Sequence, residues 1–310
     1  MNPLEKPIVT WFKKTKRDLP WRNATPWGVM VSEYMLQQTP VNRVLPKWIE
    51  WMERWPTPAD LAKASPAEVI TAWGRLGYPR RALRLHAAAQ IIAQELNNEV
   101  PSDEISLRAL PGIGQYTAAA IAAFAFEQRS LVMDVNIRRL LTRLLDGNEF
   151  PKPSVTSHER AARLSLMPQK NAHVWAAATM ELGAIVCTSS KPKCELCPVI
   201  SQCNWRKNGY PKTNLIRKSQ DWHGTDRKCR GTIVQALREN ESLTENAIRK
   251  LWPYQSQVEK ALKTLQEDLL IEAIPRNRYR LPAAASSAAR RAMSTVEIDT
   301  RIRKNFSSSL

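Results

Sequence analysis

Apolar residues recur three or four positions apart through most of the first two hundred residues, the spacing of one face of an α-helix. VNRVLPKWIEWMERW (41–55) places Val, Leu, Trp and Met at that interval, and YPRRALRLHAAAQIIAQEL (78–96) reads as a long basic amphipathic helix. WFKKTKRDLPWR (11–22) begins amphipathic and is stopped by Pro20, and VMVSEYMLQQ (29–38) is an apolar helical segment. PTPADLAKAS (56–65) and SPAEVITAWGRL (65–76) each open on a Pro or Ser start signal. No stretch alternates apolar and polar residues persistently enough to predict a large sheet, so the pattern predicts an all-α class.

The pattern weakens in WRKNGYPKTNLIRKSQDWHGTDR (205–227), which is polar and basic and reads as a linker over 211–227. Three short helical segments follow, GTIVQALREN (231–240), ENAIRKLW (245–252) and QSQVEKALKTLQEDLL (255–270). IEAIPRNRYRLP (271–282) then predicts a β-hairpin turning at PRN. Three helices and a hairpin make a winged-helix-like module over 228–283, and 284–310 lacks hydrophobic patterning and reads as a disordered tail.

Charge adds a partner to this picture. Forty-six Lys+Arg against 29 Asp+Glu give a net charge of +17, spread along the chain, which favours a polyanion. No run of apolar residues is long enough for a membrane span, and the charged flanks of the N-terminal apolar patch argue against a signal peptide. The expected location is cytoplasmic.

Cysteine spacing adds chemistry. Cys187, Cys194, Cys197 and Cys203 lie within seventeen residues, a clustering that reads as metal ligation rather than disulfides. Four thiolates suit tetrahedral zinc or a [4Fe–4S] cluster; a central CxxC with one cysteine on either side, rather than two separated knuckles, favours the cluster. Cys229 stands outside this spacing.

LPGIGQYTAAAI (110–121) runs a tight glycine turn straight into an alanine-rich helix. Such a turn can cap a helix, allow close helix packing, or keep backbone N–H groups clear for an anion.

Six segments occur in order: RDLPWR (17–22), VSEYMLQQTPV (31–41), GRLGYPRRALRLH (74–86), LPGIGQYTAAAI, MDVNIRRL (133–140) and ELGAIVCTSSKPKCELCP (181–198). Together they resemble the MutY-type adenine glycosylases of the helix-hairpin-helix DNA glycosylase superfamily, over about residues 5–210. The resemblance implies two helical lobes with a cleft. One lobe takes 1–24 and 130–210 and carries the cluster loop 187–203; the other, a helical barrel, takes 25–129 with the helix-hairpin-helix at 107–121. The chain is a short form, without the β-rich Nudix-like domain that many of these enzymes append.

The implied activity is monofunctional hydrolysis of the N-glycosidic bond of adenine mispaired with 8-oxoguanine or guanine, in base excision repair. The partner is double-stranded DNA, and the protein is expected to be a monomer, bacterial and nucleoid-associated. By the resemblance, Glu33 protonates the purine, Asp134 stabilises the oxocarbenium-like sugar, Asn136 organises the site, and Cys187, Cys194, Cys197 and Cys203 hold a [4Fe–4S] cluster. Tyr116 stands where strand-cutting relatives carry a lysine nucleophile, which excludes Schiff-base chemistry at that position. Arg17 and Trp21 would line the base pocket, and Gln37, Gln38 and Tyr78 would contact the helix near the opposite base. Arg80, Arg81 and Arg84 would meet phosphates, and Gly112 and Gly114 would allow positive φ and close approach of the strand.

Pro79 replaces the second aromatic of the usual GYY triplet, and Ala177 stands where many relatives place a further adenine contact. Two alternatives remain open: a thymine-mismatch or oxidised-pyrimidine glycosylase of the endonuclease III type, and a catalytically silent DNA-binding paralogue. Glu33 within SEYMLQQT argues against the first, and the presence of both Glu33 and Asp134 against the second.

Overall fold

The computed structural model describes residues 2–213 and 224–283. The expected tail, 284–310, and part of the expected linker lie outside the described residues. In chain order the helices are α1 (Glu5–Thr15), α2 (Pro26–Leu36), α3 (Val41–Arg54), α4 (Pro58–Lys63), α5 (Pro66–Trp73), α6 (Arg80–Glu95), α7 (Glu104–Ala109) and α8 (Gln115–Phe126). They continue as α9 (Val135–Leu141), α10 (Ser157–Leu166), α11 (Ala172–Ile185), α12 (Asn204–Lys207), α13 (Asp226–Glu239), α14 (Glu245–Arg249) and α15 (Gln255–Glu267). The strands are β1 (Leu243–Thr244), β2 (Glu272–Ile274) and β3 (Arg278–Arg280). Among the described residues the fold is all-α apart from this one small sheet.

The chain forms two compact units. The first comprises, of the described residues, 2–29, Ser102–Glu104 and 114–213. Its core joins Ile8 and Phe12 of α1, Ala120 and Ala123 of α8, Ile137, Leu140 and Leu141 of α9, and Trp175, Ala178 and Leu182 of α11. The sequence placed α8 in the other lobe, with a boundary at 129. Its side-chain run explains the difference: Ala118 to Ala123 are all buried, and so smooth a face seats α8 in the α1–α9–α11 core. Close helix packing, one of the plain readings of that alanine run, is therefore correct.

The second unit comprises Met30–Pro101, Ile105–Ile113 and, of the described residues, 224–283. α3 presents Val44, Trp48 and Trp51 as its buried stripe. The Trp51 ring meets Trp55 and Trp73 edge-on, at 4.8 and 5.5 Å between centroids. A capping box starts α5: Ser65 Oγ accepts from the Glu68 amide at 3.2 Å and Glu68 accepts from the Ser65 amide at 2.8 Å.

The C-terminal module is α13, β1, α14, α15 and an antiparallel sheet in the order β1-β3-β2, the layout of a winged helix. The turn between β2 and β3 falls at Pro275–Asn277, as the PRN signal predicts. β1, only two residues long, carries too little alternation to be seen in sequence. The module is not a free-standing domain: Ile70 of α5 and Leu83 of α6 belong to its core. The Ala67 amide donates to the Pro282 carbonyl at 2.9 Å, and Arg238 Nε to the Ile70 carbonyl at 3.1 Å. Burying Ile70 and Leu83 stabilises this docking by about 1.5–3 kcal/mol each. Among the described residues no helix is long and apolar enough to cross a membrane.

Candidate active site

Glu33 lies on α2 in the second unit and is only 6% exposed, between the fully buried Ser32 and the buried Tyr34. The default fate of a helical glutamate is a solvated surface; this one is inside, where a carboxyl is costly unless it is hydrogen-bonded or paired. α2 is also fixed. The Tyr34 hydroxyl donates to the Pro111 carbonyl, which ties the helix to the glycine turn, and Leu110 and Ile113 are buried on either side.

That turn uses its two glycines differently. Gly112 has φ +85°, and a Cβ there would stand 3.0 Å from both Tyr34 Cε1 and Arg84 Cβ, so conformation and space both require glycine. Gly114 corrects the expectation of positive φ: it is extended, at φ −91° and ψ 179°, and is the N-cap of α8. No side chain caps that helix, and a Cβ at Gly114 would meet nothing within 4 Å. Internal packing therefore does not explain Gly114. Tyr116, in the first turn of α8, is half-buried against the core of the first unit.

Asp134, in the first unit, is the N-cap of α9. Its Oδ1 accepts from the amides of Asn136 at 2.6 Å and Ile137 at 3.2 Å, so Oδ2 carries neither of these bonds. Burial raises its pKa above the ordinary aspartate value and outweighs the opposing amide donors. Asn136 Oδ1 accepts from Arg139 Nη2 at 2.9 Å, and the same guanidinium donates to the carbonyls of Gly183 at 2.6 Å and Cys187 at 2.9 Å. A continuous polar path thus joins Asp134 to the cysteine loop. Gly183 of α11 makes room for it: a Cβ there would lie 2.5 Å from the Asn136 carbonyl oxygen.

All four loop cysteines line one small cavity, together with Arg143, Val186, Pro192 and Trp205. Arg143 reaches it from a π-helical turn, Thr142–Asp146, that follows α9. Its guanidinium is fully buried, donates to Cys187 Sγ at 3.4 Å and to the carbonyls of Thr188 and Ser189, and lies 4.4 Å from the Trp205 ring. Burial pushes Cys197 up to about 11, and its neighbouring thiols push the same way against the Val199 amide. Four soft sulfur donors lining one cavity, with a buried cation beside them, fit the thiolate ligation of an iron–sulfur cluster. Among the described residues no three Cys, His, Asp or Glu converge on a single-ion site.

The expected DNA-contact residues divide. Gln38 is exposed and Tyr78 is 43% exposed, and both hold positive φ, +55° and +47°, uncommon for residues with a Cβ. The Arg227 guanidinium, from α13, stacks 4.5 Å from the Tyr78 ring. Gln37 is half-buried, and Arg80 is half-exposed and pairs with Asp268 at 3.1 Å.

One arginine is a correction. Arg81 is no phosphate contact: it is 6% exposed, and its guanidinium is enclosed by backbone carbonyls. Arg17 is partly exposed and bound to Glu181: its amide, Nε and Nη2 all donate to that carboxylate at 2.8–2.9 Å. Arg22 Nη2 adds a bond at 3.0 Å. Burial, the largest influence, pushes Glu181 up, but the Arg17 hydrogen bonds and both positive charges hold it below the usual carboxylate range. RDLPWR is in this respect a clasp between the N-terminal segment and α11; its Trp21 is buried at 8% exposure. Glu181, Gly183, Arg139 and Arg143 were all missed as working residues. Only Gly183, a glycine inside a helical run, carried a readable signal.

Residues 31–165 match the family described as HhH-GPD superfamily base excision DNA repair protein. A thermostable thymine-DNA glycosylase shares the fold, with a TM-score of 0.60 and 24% identity over 66% of this chain and 94% of that one. Endonuclease III in a non-covalent DNA complex does so with a TM-score of 0.58 and 19% identity, over 66% and 95%. Fold and family match define a helix-hairpin-helix base-excision repair protein. The adenine DNA glycosylase of Mycolicibacterium smegmatis is 44% identical over 285 residues, 91% of this chain and 96% of that protein, a span too long to stop before the C-terminal module. That of Homo sapiens is 39% identical over 211 residues, covering 64% of this chain and 39% of that protein. The chain belongs to the adenine DNA glycosylase family.

Proposed function

We propose that this protein excises adenine from double-stranded DNA by hydrolysing its N-glycosidic bond, acting on adenine opposite 8-oxoguanine or guanine. The observation that carries the reading is a pair of carboxyl groups, neither solvated in the ordinary way, in the two motifs most characteristic of the family. Glu33 is buried inside SEYMLQQT and Asp134 is locked as a helix cap inside MDVNIRRL.

Adenine must leave the base stack before a protein carboxyl can reach it. Glu33 then delivers its proton to N7, the C1′–N9 bond breaks with its electron pair going to the base, and positive charge develops on the sugar. Asp134, whose Oδ1 takes the cap bonds from the Asn136 and Ile137 amides, supplies the carboxylate for that charge as in glycoside hydrolysis. Water adds to C1′ and loses its proton to a carboxylate. Tyr116 offers no amine, so no Schiff base forms at that position and the product is an abasic site.

Cys187, Cys194, Cys197 and Cys203 would hold a [4Fe–4S] cluster, whose positive core would offset part of the thiolate charge and cross-link the loop. Arg143 supports it by bridging Cys187 to the carbonyls of Thr188 and Ser189. The open N-terminus of α8 receives a DNA phosphate, and the protein acts as a monomer.

Glu33→Gln and Asp134→Asn test the assignment. Each abolishes base release while binding of a mismatch duplex stays within a few-fold of wild type; turnover by either variant overturns its role.

A further inference from the structure

Arg81 is the basic residue whose placement departs furthest from a DNA contact, and its hydrogen bonds point to another task. Its Nη1 donates to the carbonyls of Tyr34 and Met35, both at 3.0 Å, and of Gln37 at 2.5 Å. Its Nη2 donates to Thr39 Oγ1 and the Gly77 carbonyl, both at 2.9 Å, and to the Leu76 carbonyl at 3.3 Å. These acceptors come from two separate segments, the end of α2 with residues 37–39, and residues 76–77. Thr39 Oγ1 reinforces the seam, lying 3.2 Å from the Leu76 carbonyl as well. The guanidinium rests 5.1 Å from the Trp73 ring and 5.7 Å from that of Tyr78.

Each stitched segment presents an exposed residue held in left-handed backbone: Gln38 at φ +55° and Tyr78, one position past Gly77, at φ +47°. Such conformations persist only where the surroundings over-determine them. The Arg81 guanidinium bonds both segments at once and is buried beneath them. We infer that Arg81 is a positioning residue that fixes the two loops against each other, so that Gln38 and Tyr78 meet DNA as one rigid reading edge. This rests on the reading of Gln38 and Tyr78 as DNA contacts. Only a planar fork can serve acceptors spread in this way; a lysine ammonium is a point donor with three hydrogens.

The experiment measures equilibrium binding of the full-length protein to a duplex carrying 2′-fluoro-2′-deoxyadenosine, which resists excision, opposite guanine. The variants are Arg81→Lys, the milder Thr39→Val, the double variant Gln38→Ala/Tyr78→Ala, and each of the first two combined with the double variant. Stacking of an aromatic on a base sets the scale, so Arg81→Lys weakens binding by about tenfold. Thr39→Val shifts it the same way by less, and in both the affinity falls more than the single-turnover rate at saturating enzyme. Neither adds a further loss in the double-variant background, because the reading edge is already gone. Wild-type affinity in Arg81→Lys, or a full additional loss in that background, overturns the inference. Should Arg81→Lys not fold by thermal unfolding, Thr39→Val decides by the same two criteria. Wild-type affinity in the double variant instead refutes the role of Gln38 and Tyr78 themselves, and with it the inference.

Discussion

Gly183→Ala adds one methyl group at the tightest packed point near Asp134. Its Cβ would stand 2.5 Å from the Asn136 carbonyl oxygen, 2.8 Å from its carbonyl carbon and 2.9 Å from its Cβ, where ordinary contact begins near 3.4 Å. α11 and the Asp134–Asn136 cap must therefore separate by about 0.9 Å, and two of the groups in the way are backbone. Overpacking of this kind costs about 1–3 kcal/mol, offset by about 1 kcal/mol because alanine favours the helix more than glycine does. Net stability therefore falls by about 2 kcal/mol at most. The rate responds differently, since a displacement of about 1 Å at a reacting group costs on the order of a hundredfold. Single-turnover adenine excision at saturating enzyme, run beside a thermal melt, separates the two effects. The expected result is a rate loss near a hundredfold in a folded protein. A wild-type rate would refute the claim that α11 sets the position of Asp134 through Asn136.

Other variants probe the remaining links. Asp134→Asn keeps an equally good helix cap, so its stability at neutral pH matches or exceeds wild type, whereas Asp134→Ala loses about 1 kcal/mol; denaturant melts distinguish them. The raised pKa of Asp134 sets the pH sign: its contribution to stability is full below the ordinary aspartate value and is lost as pH rises through the higher folded value. Wild type therefore loses ground to Asp134→Asn over that window, and a constant difference across pH would contradict this. Arg143→Leu removes the buried donor beside Cys187 and lowers iron per protein and the visible cluster absorption; unchanged iron content would show that Arg143 is dispensable. Arg227→Ala strips the cation from the Tyr78 ring and weakens DNA binding by about threefold, measured by anisotropy at fixed salt. Borohydride added during turnover traps no protein–DNA adduct, and a stoichiometric adduct would contradict the monofunctional reading.

Much of the fold was legible because local signals and tertiary structure agree. The capping box at Ser65, the apolar stripe of α3 and the PRN turn are decided within a few residues. What escaped depends on residues distant in sequence. Arg17 and Arg81 look like surface cations until Glu181, 164 positions away, and the carbonyls at the end of α2 are brought to them. The lobe boundary escaped because an alanine helix carries no mark of which core it enters. Gly114 was read as a conformational glycine, though its backbone is one that any residue adopts. The C-terminal module was legible as three helices and a hairpin but not as a docked body. Ile70 and Leu83, which it covers, look like ordinary core residues of α5 and α6.

The most direct measurement is single-turnover base release from four duplexes of one sequence, carrying A:8-oxoguanine, A:G, T:G and thymine glycol:A. The account predicts free adenine from the first two and no released base from the others. Release of thymine or thymine glycol with adenine left in place would contradict it.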